Sequence, residues 1–163
     1  MEKFDYYKLR ELLSAHLQKE SKVNIYYPRV DANLVNGKAT FNATWSWWAF
    51  FGGWAFFLYR KMYLVAAVFF ILSILSSALP FGGLILGIIS GISGFYFYTM
   101  KLRDDLEKVG YETRDIEEVK KDLAKLGGYH SWVTILAILF YAFILLFFSI
   151  VPGVFAFSIY MIN

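Results

Sequence analysis

The chain has 163 residues, of which 58% are hydrophobic, 21% aromatic and 18% charged, with a mean hydropathy of +0.49. That balance excludes an ordinary soluble domain, which carries about 45–50% apolar and about 25% charged residues. A net charge of +3 is too small for the dense basic face of a nucleic-acid binder, and the absence of cysteine excludes disulfides and thiolate-bound metal.

The placement of charge says more than its total. Every Lys, Arg, Asp and Glu lies in residues 1–61 or 101–125, which leaves uncharged blocks of 39 and 38 residues between and after them. A membrane-spanning helix needs about 20 such residues. Residues 1–22 are charged throughout and are not expected to serve as a secretory signal.

In chain order, residues 4–19 read as an amphipathic helix, with Tyr6, Leu9, Leu12, Leu13, His16 and Leu17 on one face. His16 is expected to be packed or partly exposed rather than a ligand. In residues 23–41, Val23, Ile25 and Tyr27 alternate, and Asn36-Gly37 favours a tight turn. This part of the N-terminal region, residues 1–41, is expected to be a short hairpin or an extended connector, with Pro28 restricting any strand to an edge. Residues 42–61 hold Trp45, Trp47, Trp48 and Trp54 around Gly52-Gly53. Residues 62–99 hold two apolar runs, 63–79 and 81–98, separated by Pro80 and expected to form a transmembrane hairpin.

Residues 100–128 are expected to be a cytoplasmic helical loop. Met100–Val109 continues the second span, with Leu102, Leu106 and Val109 as its stripe and Gly110 as a stop. A polar helix over residues 114–126 follows, capped by Thr113, with acids in its first turn and lysines later. Asp104-Asp105 and Glu117-Glu118 are expected on solvated faces, because neighbours in a helix point apart. Residues 129–163 carry a third span, Trp132–Val151, which Pro152-Gly153 should divide from a short periplasmic tail.

Topology follows from the basic residues, nine in residues 1–61 and seven in 101–125. With spans at 63–79, 81–98 and 132–151, all sixteen lie on one side, as expected of the cytoplasmic face. A further span at Trp45–Tyr59 would split that count, and its fifteen residues reach only about 22 Å at about 1.5 Å each. Residues 42–61 are therefore expected to be an interfacial or re-entrant wedge, kinked at 52–53. Its interface anchors are Trp45, Trp47, Trp48, Trp54, Tyr59, Arg60, Lys61 and Tyr63, joined by Tyr129 and Trp132 near the third span. Arg60 and Lys61 are expected to face anionic lipid headgroups.

The stretch "FNATWSWWAFFGGWAFFLYRKMYLVAAVFF" resembles a Phe-rich pattern, F-x-W-x-A-F-F-F-G-P-x-W-x-L-Y-R-K-M-Y, of small bacterial inner-membrane proteins grouped as domain of unknown function 2628. Trp48, Ala49, Phe50, Phe51, Gly52, Trp54, Leu58, Tyr59, Arg60, Lys61, Met62 and Tyr63 match; Gly53 stands where proline is usual. The resemblance covers about residues 41–98 and implies a location and paired membrane helices, not an activity.

The fold expected is an all-α integral membrane protein with three transmembrane helices, the aromatic wedge and amphipathic cytoplasmic helices. Its N-terminus would be cytoplasmic and its C-terminus periplasmic. No ionisable residue lies within the spans, which argues against an ion-coupled transporter. Gly83, Gly87, Gly91, Ser90 and Gly94 recur at the spacing that lets helices approach closely. Two uses are open for them: packing against the first span, the favoured one, or a homodimer face. No cofactor, metal or catalytic motif is expected. The leading functional reading is a non-catalytic adaptor or accessory subunit with a cytoplasmic or membrane protein partner. The alternatives are a passive channel or lipid-handling protein, and a lipid-modifying enzyme that would depend on His130 with Tyr129 and Ser131.

Overall fold

A computed structural model describes residues 6–162, with side chains from Lys8 to Phe147 and of Ser149. Phe4, the Tyr6 side chain, Asn163 and the side chains of the expected tail lie outside the described residues. The chain divides into two compact units, one up to His130 and one from Ser131.

The first unit opens with α1, Tyr6–Leu17, and α2, Glu20–Asn33. Helix α1 buries Leu9, Leu12, Leu13 and Leu17, the stripe expected of it. Helix α2 is a correction to the hairpin or connector expected from residue 23 onward. Its buried residues are Val23, Tyr26, Val30 and Asn33, a helical stripe, whereas Ile25 of the apparent alternation is exposed. Pro28 lies inside the helix, and the buried stripe outweighs the one backbone hydrogen bond that proline removes. The hairpin shrinks to β1, Leu34–Val35, and β2, Lys38–Ala39, with Leu34 paired to Ala39. Its turn is Asn36-Gly37, both at positive φ, as such tight turns require.

The aromatic stretch forms two short helices, α3, Trp47–Gly52, and α4, Trp54–Tyr59. Ser46 caps α3 by accepting from the Ala49 N–H at 3.2 Å. Gly53, at φ +47° and ψ −125°, breaks the helix where the sequence predicts a kink. The chain then enters α5, Tyr63–Ser76, which stops short of Leu79. Ser73, Ser76 and Ser77 donate to the carbonyls of Phe70, Ser73 and Ile74, and such back-bonding competes with continued helix before Pro80. Fourteen residues give α5 about 21 Å, less than the ~30 Å of a hydrocarbon core.

Helix α6, Gly82–Lys108, is one unbroken rod that carries both the expected second span and its polar continuation. Gly110, at φ +66°, follows its C-cap. Helix α7 is Ile116–Leu126, and its cap is Asp115, which accepts from the Glu117 N–H at 3.0 Å, rather than Thr113. The Thr113 hydroxyl is turned back to the Gly110 carbonyl.

The second unit is α8, Ser131–Ile162. Its backbone stays helical through Pro152-Gly153, which corrects the expected division into a span and a tail. Apolar side chains over most of its described circumference are exposed, among them Trp132, Ile135, Ile138, Leu139, Phe143 and Leu145. The protein is thus predominantly helical, and two of its helices, α6 and α8, are long and apolar enough to cross a membrane.

Candidate functional site

The first unit exposes a broad apolar belt. Helix α5 presents Leu64, Ile71, Ile74 and Leu75, the following turn Leu79 and Phe81, and the start of α6 Leu84, Ile85 and Ile89. Trp47, Trp48 and Phe51 of α3 extend the belt, at 62%, 69% and 69% exposed. Rings of this size normally seek cover, so a contiguous surface of them marks a place where something other than water is met.

Behind the belt, α3 lies in the small-residue seam of α6. A Cβ added at Gly94 would stand 2.7 Å from the Ala49 Cβ, one at Gly91 3.0 Å from the Trp45 ring, and one at Gly87 3.3 Å from Phe50. The Ser46 N–H donates to the Gly91 carbonyl at 2.9 Å, and Ser90 Oγ donates to the Ala49 carbonyl at 2.7 Å. The seam is therefore filled by the chain's own aromatic segment, neither by α5 as first favoured nor left free for a second copy. Gly83 takes no part in it, since nothing stands within 4 Å of a Cβ there.

The expected anchors separate into three environments. Trp54 is buried against Phe70, and Trp45 is half-buried beside Phe50 and the seam. At the polar edge of the belt, Tyr59 stacks on Tyr129 at 5.2 Å between ring centres, and Tyr63 shares a 2.7 Å hydrogen bond with Nε2 of His130. Trp132 is exposed on α8. His130 is thus engaged with Tyr63, and its N–H donates to the Tyr59 carbonyl at 2.9 Å, the arrangement of a tied chain segment.

Arg60 requires a correction. Expected at lipid headgroups, it is 3% exposed and points into the unit. Its Nε donates to the Tyr26 hydroxyl at 3.0 Å, and its guanidinium carbon lies 4.8, 5.3 and 5.9 Å from the ring centres of Tyr26, Tyr59 and Tyr98. Three aromatic faces offset the loss of water around this cation. The adjacent Lys61, at φ +60°, stays half-exposed and reaches the Lys125 carbonyl.

Beneath Arg60 lies a buried polar network. His16 Nε2 meets Asp105 Oδ2 at 3.0 Å, and its Nδ1 meets the Tyr98 hydroxyl at 2.8 Å. A carboxylate only accepts, so the neutral imidazole carries its proton on Nε2 and accepts from Tyr98 on Nδ1. Asp105 also receives Lys101 at 2.5 Å and Lys108 at 3.2 Å. It is 2% exposed, which overturns the solvated face expected for the Asp104-Asp105 pair; Asp104 alone is exposed. Burial raises the Asp105 pKa, but hydrogen bonds from His16 and Lys101 outweigh it and hold the carboxyl well below the usual range. Burial lowers the pKa of His16, with the Asp105 hydrogen bond opposing. The His16 carbonyl accepts the Gly128 N–H at 2.7 Å, and a side chain at Gly127 would collide with it, so this glycine pair docks the end of α7 on the end of α1.

This Tyr–His–carboxylate array has the connectivity of a proton relay but no exposed member to meet a substrate. Its chemistry is that of a latch joining α1, α2, α6 and the segment after α4. One signal for it was present in the sequence: His16 and Asp105 are the titratable residues that interrupt apolar helical stripes, the second between Leu102 and Val109. No protein-family model, curated protein or solved structure matches the chain.

Proposed function

We propose that the chain is a small multi-pass protein of the bacterial inner membrane, related to the domain of unknown function 2628 by its aromatic motif, and that it works as a non-catalytic adaptor. The observation that carries this reading is the exposed belt of α3, α5 and the start of α6, contiguous with a charged half built from α1, α2, α7 and the end of α6. A bilayer covers such a belt and leaves the charged half in the cytoplasm. In this reading α5 with its turn, α6 and α8 cross the membrane, the N-terminus is cytoplasmic and the C-terminus periplasmic. The charged half then serves as a platform for a partner protein, since the ionisable side chains around α7 are paired with one another rather than arranged around a substrate.

The membrane part is tested by fractionation with a carbonate wash, after which the protein stays with the membranes. A reporter fused after Asn163 that reads cytoplasmic overturns the three-crossing arrangement. The adaptor part is tested by affinity purification in mild detergent: a reproducible stoichiometric partner supports it, and recovery of the protein alone on repeated purification overturns it.

A further inference from the structure

Helix α2 carries its charges on opposite flanks. At about 100° per residue, Lys22 and Arg29 point within about 20° of each other, and Glu20 and Asp31 point roughly 180° away from them. The exposed Ile25 lies on the basic side, and the acidic side carries Asn24, whose side chain accepts from Arg10. Each basic residue at this edge is laid over a ring from a neighbouring segment. Lys22 stands 5.6 Å from the Trp48 ring centre, Arg29 5.1 Å from Phe95, and Lys19, just before the helix, 4.7 Å from Tyr129. Among the described residues no carboxylate lies within ion-pair distance of any of the three, whereas the cations around α7 are paired with acids. Trp48, under Lys22, is itself part of the exposed apolar belt.

An apolar belt bordered by a row of half-buried cations, held on aromatic rings and without an acid partner among the described residues, is the surface that an anionic lipid leaflet complements, acyl chains against the belt and phosphates against the row. We infer that Lys19, Lys22 and Arg29 form a binding row for anionic phospholipid headgroups, with α2 lying along the membrane surface. This assigns to α2 the headgroup contact that the sequence suggests for Arg60, which is buried. Lys22 and Arg29 are about 10 Å apart along the helix at about 1.5 Å per residue, far enough to engage two neighbouring phosphates.

The inference rests on the membrane reading above, and the experiment separates the two. The full chain in neutral detergent micelles is titrated with dioleoylphosphatidylglycerol, with dioleoylphosphatidylcholine and with inorganic phosphate, and binding is followed by intrinsic tryptophan fluorescence. Phosphatidylglycerol should bind at least tenfold more tightly than phosphatidylcholine. Removing each cation should weaken that preference about fivefold, so the triple variant Lys19→Gln, Lys22→Gln, Arg29→Gln should abolish it. The charge-keeping pair Lys22→Arg, Arg29→Lys should retain it, which guards against a loss caused by misfolding. Lys38→Gln, on the hairpin, should change nothing. Equal binding of the two lipids by the unaltered protein, a preference that survives the triple variant, or competition by inorganic phosphate alone would each overturn the row as a lipid site. A protein that stays in carbonate-washed membranes yet shows no such preference loses only this inference; one absent from the membranes loses the membrane reading itself.

Discussion

The two halves of α6 obey opposite rules on one continuous helix. From Gly82 to Ile89 its large side chains, Leu84, Ile85, Ile88 and Ile89, are exposed, and its small ones from Gly87 to Gly94 receive α3. From Tyr98 to Val109 its large apolar side chains are largely buried, and a carboxylate is buried with them. In the membrane reading proposed above, the surroundings change along the helix axis. A hydrophobic medium around the first half reduces the cost of exposed isoleucine and leucine, and water around the second half restores the ordinary arrangement. The buried charge ties the two helices: Asp105 accepts from Lys101 and Lys108 of its own helix and from His16 of α1.

The comparison breaks most sharply at Asp105. Asp105→Ala leaves Lys101 and His16 without their shared acceptor and should lower the apparent unfolding free energy in detergent by about 3 kcal/mol, the scale for removing one partner of a buried ion pair. Its neighbour Asp104→Ala, on the exposed face, should change stability by less than ~0.5 kcal/mol. Equal effects would show that the buried network holds nothing. In the other half, Gly94→Val forces α3 away from the seam and should cost about 2 kcal/mol, the usual range for overpacking being about 1–3. Gly83→Ala, in open space on the same helix, should be neutral or gain a few tenths of a kcal/mol from helix propensity, up to ~1. Thermal unfolding of the two glycine variants side by side reads which glycines the aromatic segment uses. A smaller loss, about 1 kcal/mol, is expected for Gly53→Ala, because a side chain at φ +47° is strained although nothing blocks it sterically.

Much of this arrangement is legible from spacing and punctuation. Asn36-Gly37, Gly53, Gly110 and Gly127-Gly128 all mark real turns or ends, because positive φ or close approach leaves few alternatives to glycine. What escaped the sequence depends on partners distant along the chain. Val23, Ile25 and Tyr27 alternate like a strand, yet Val23, Tyr26 and Val30 are the residues buried, with Tyr26 against the rings of Phe95 and Tyr98, and that burial decides for helix. Arg60 and Lys61 are adjacent basic residues after the same aromatic run, and nothing local shows that one turns onto three tyrosine rings while the other stays at the edge. The glycines of α6 announce a close approach without naming the partner. The occupant is a six-residue helix, α3, too short for helical periodicity to register.

The network also makes stability depend on pH with a sign that its geometry fixes. His16 is held neutral, its Nε2–H given to Asp105 and its Nδ1 accepting from Tyr98, and its folded pKa lies below the ordinary 6.5. As pH falls through 6.5 the unfolded chain takes up this proton before the folded one does, so acid favours unfolding. The slope from this residue is at most about 1.4 kcal/mol per pH unit, and it vanishes well above pH 6.5, where neither state is protonated. Asp105 has the opposite timing. Its folded pKa lies below 3.8, so its contribution is intact above that value and is lost only as pH falls below it. Between about pH 5 and pH 7, then, His16 and not Asp105 should tilt the curve. His16→Gln offers an amide in place of the imidazole and removes the titration; urea unfolding at several pH values in detergent should show the slope in the parent flattened in the variant. A parent and variant with the same slope would mean that His16 does not titrate in the latch, and the pH dependence would belong to the exposed surface instead.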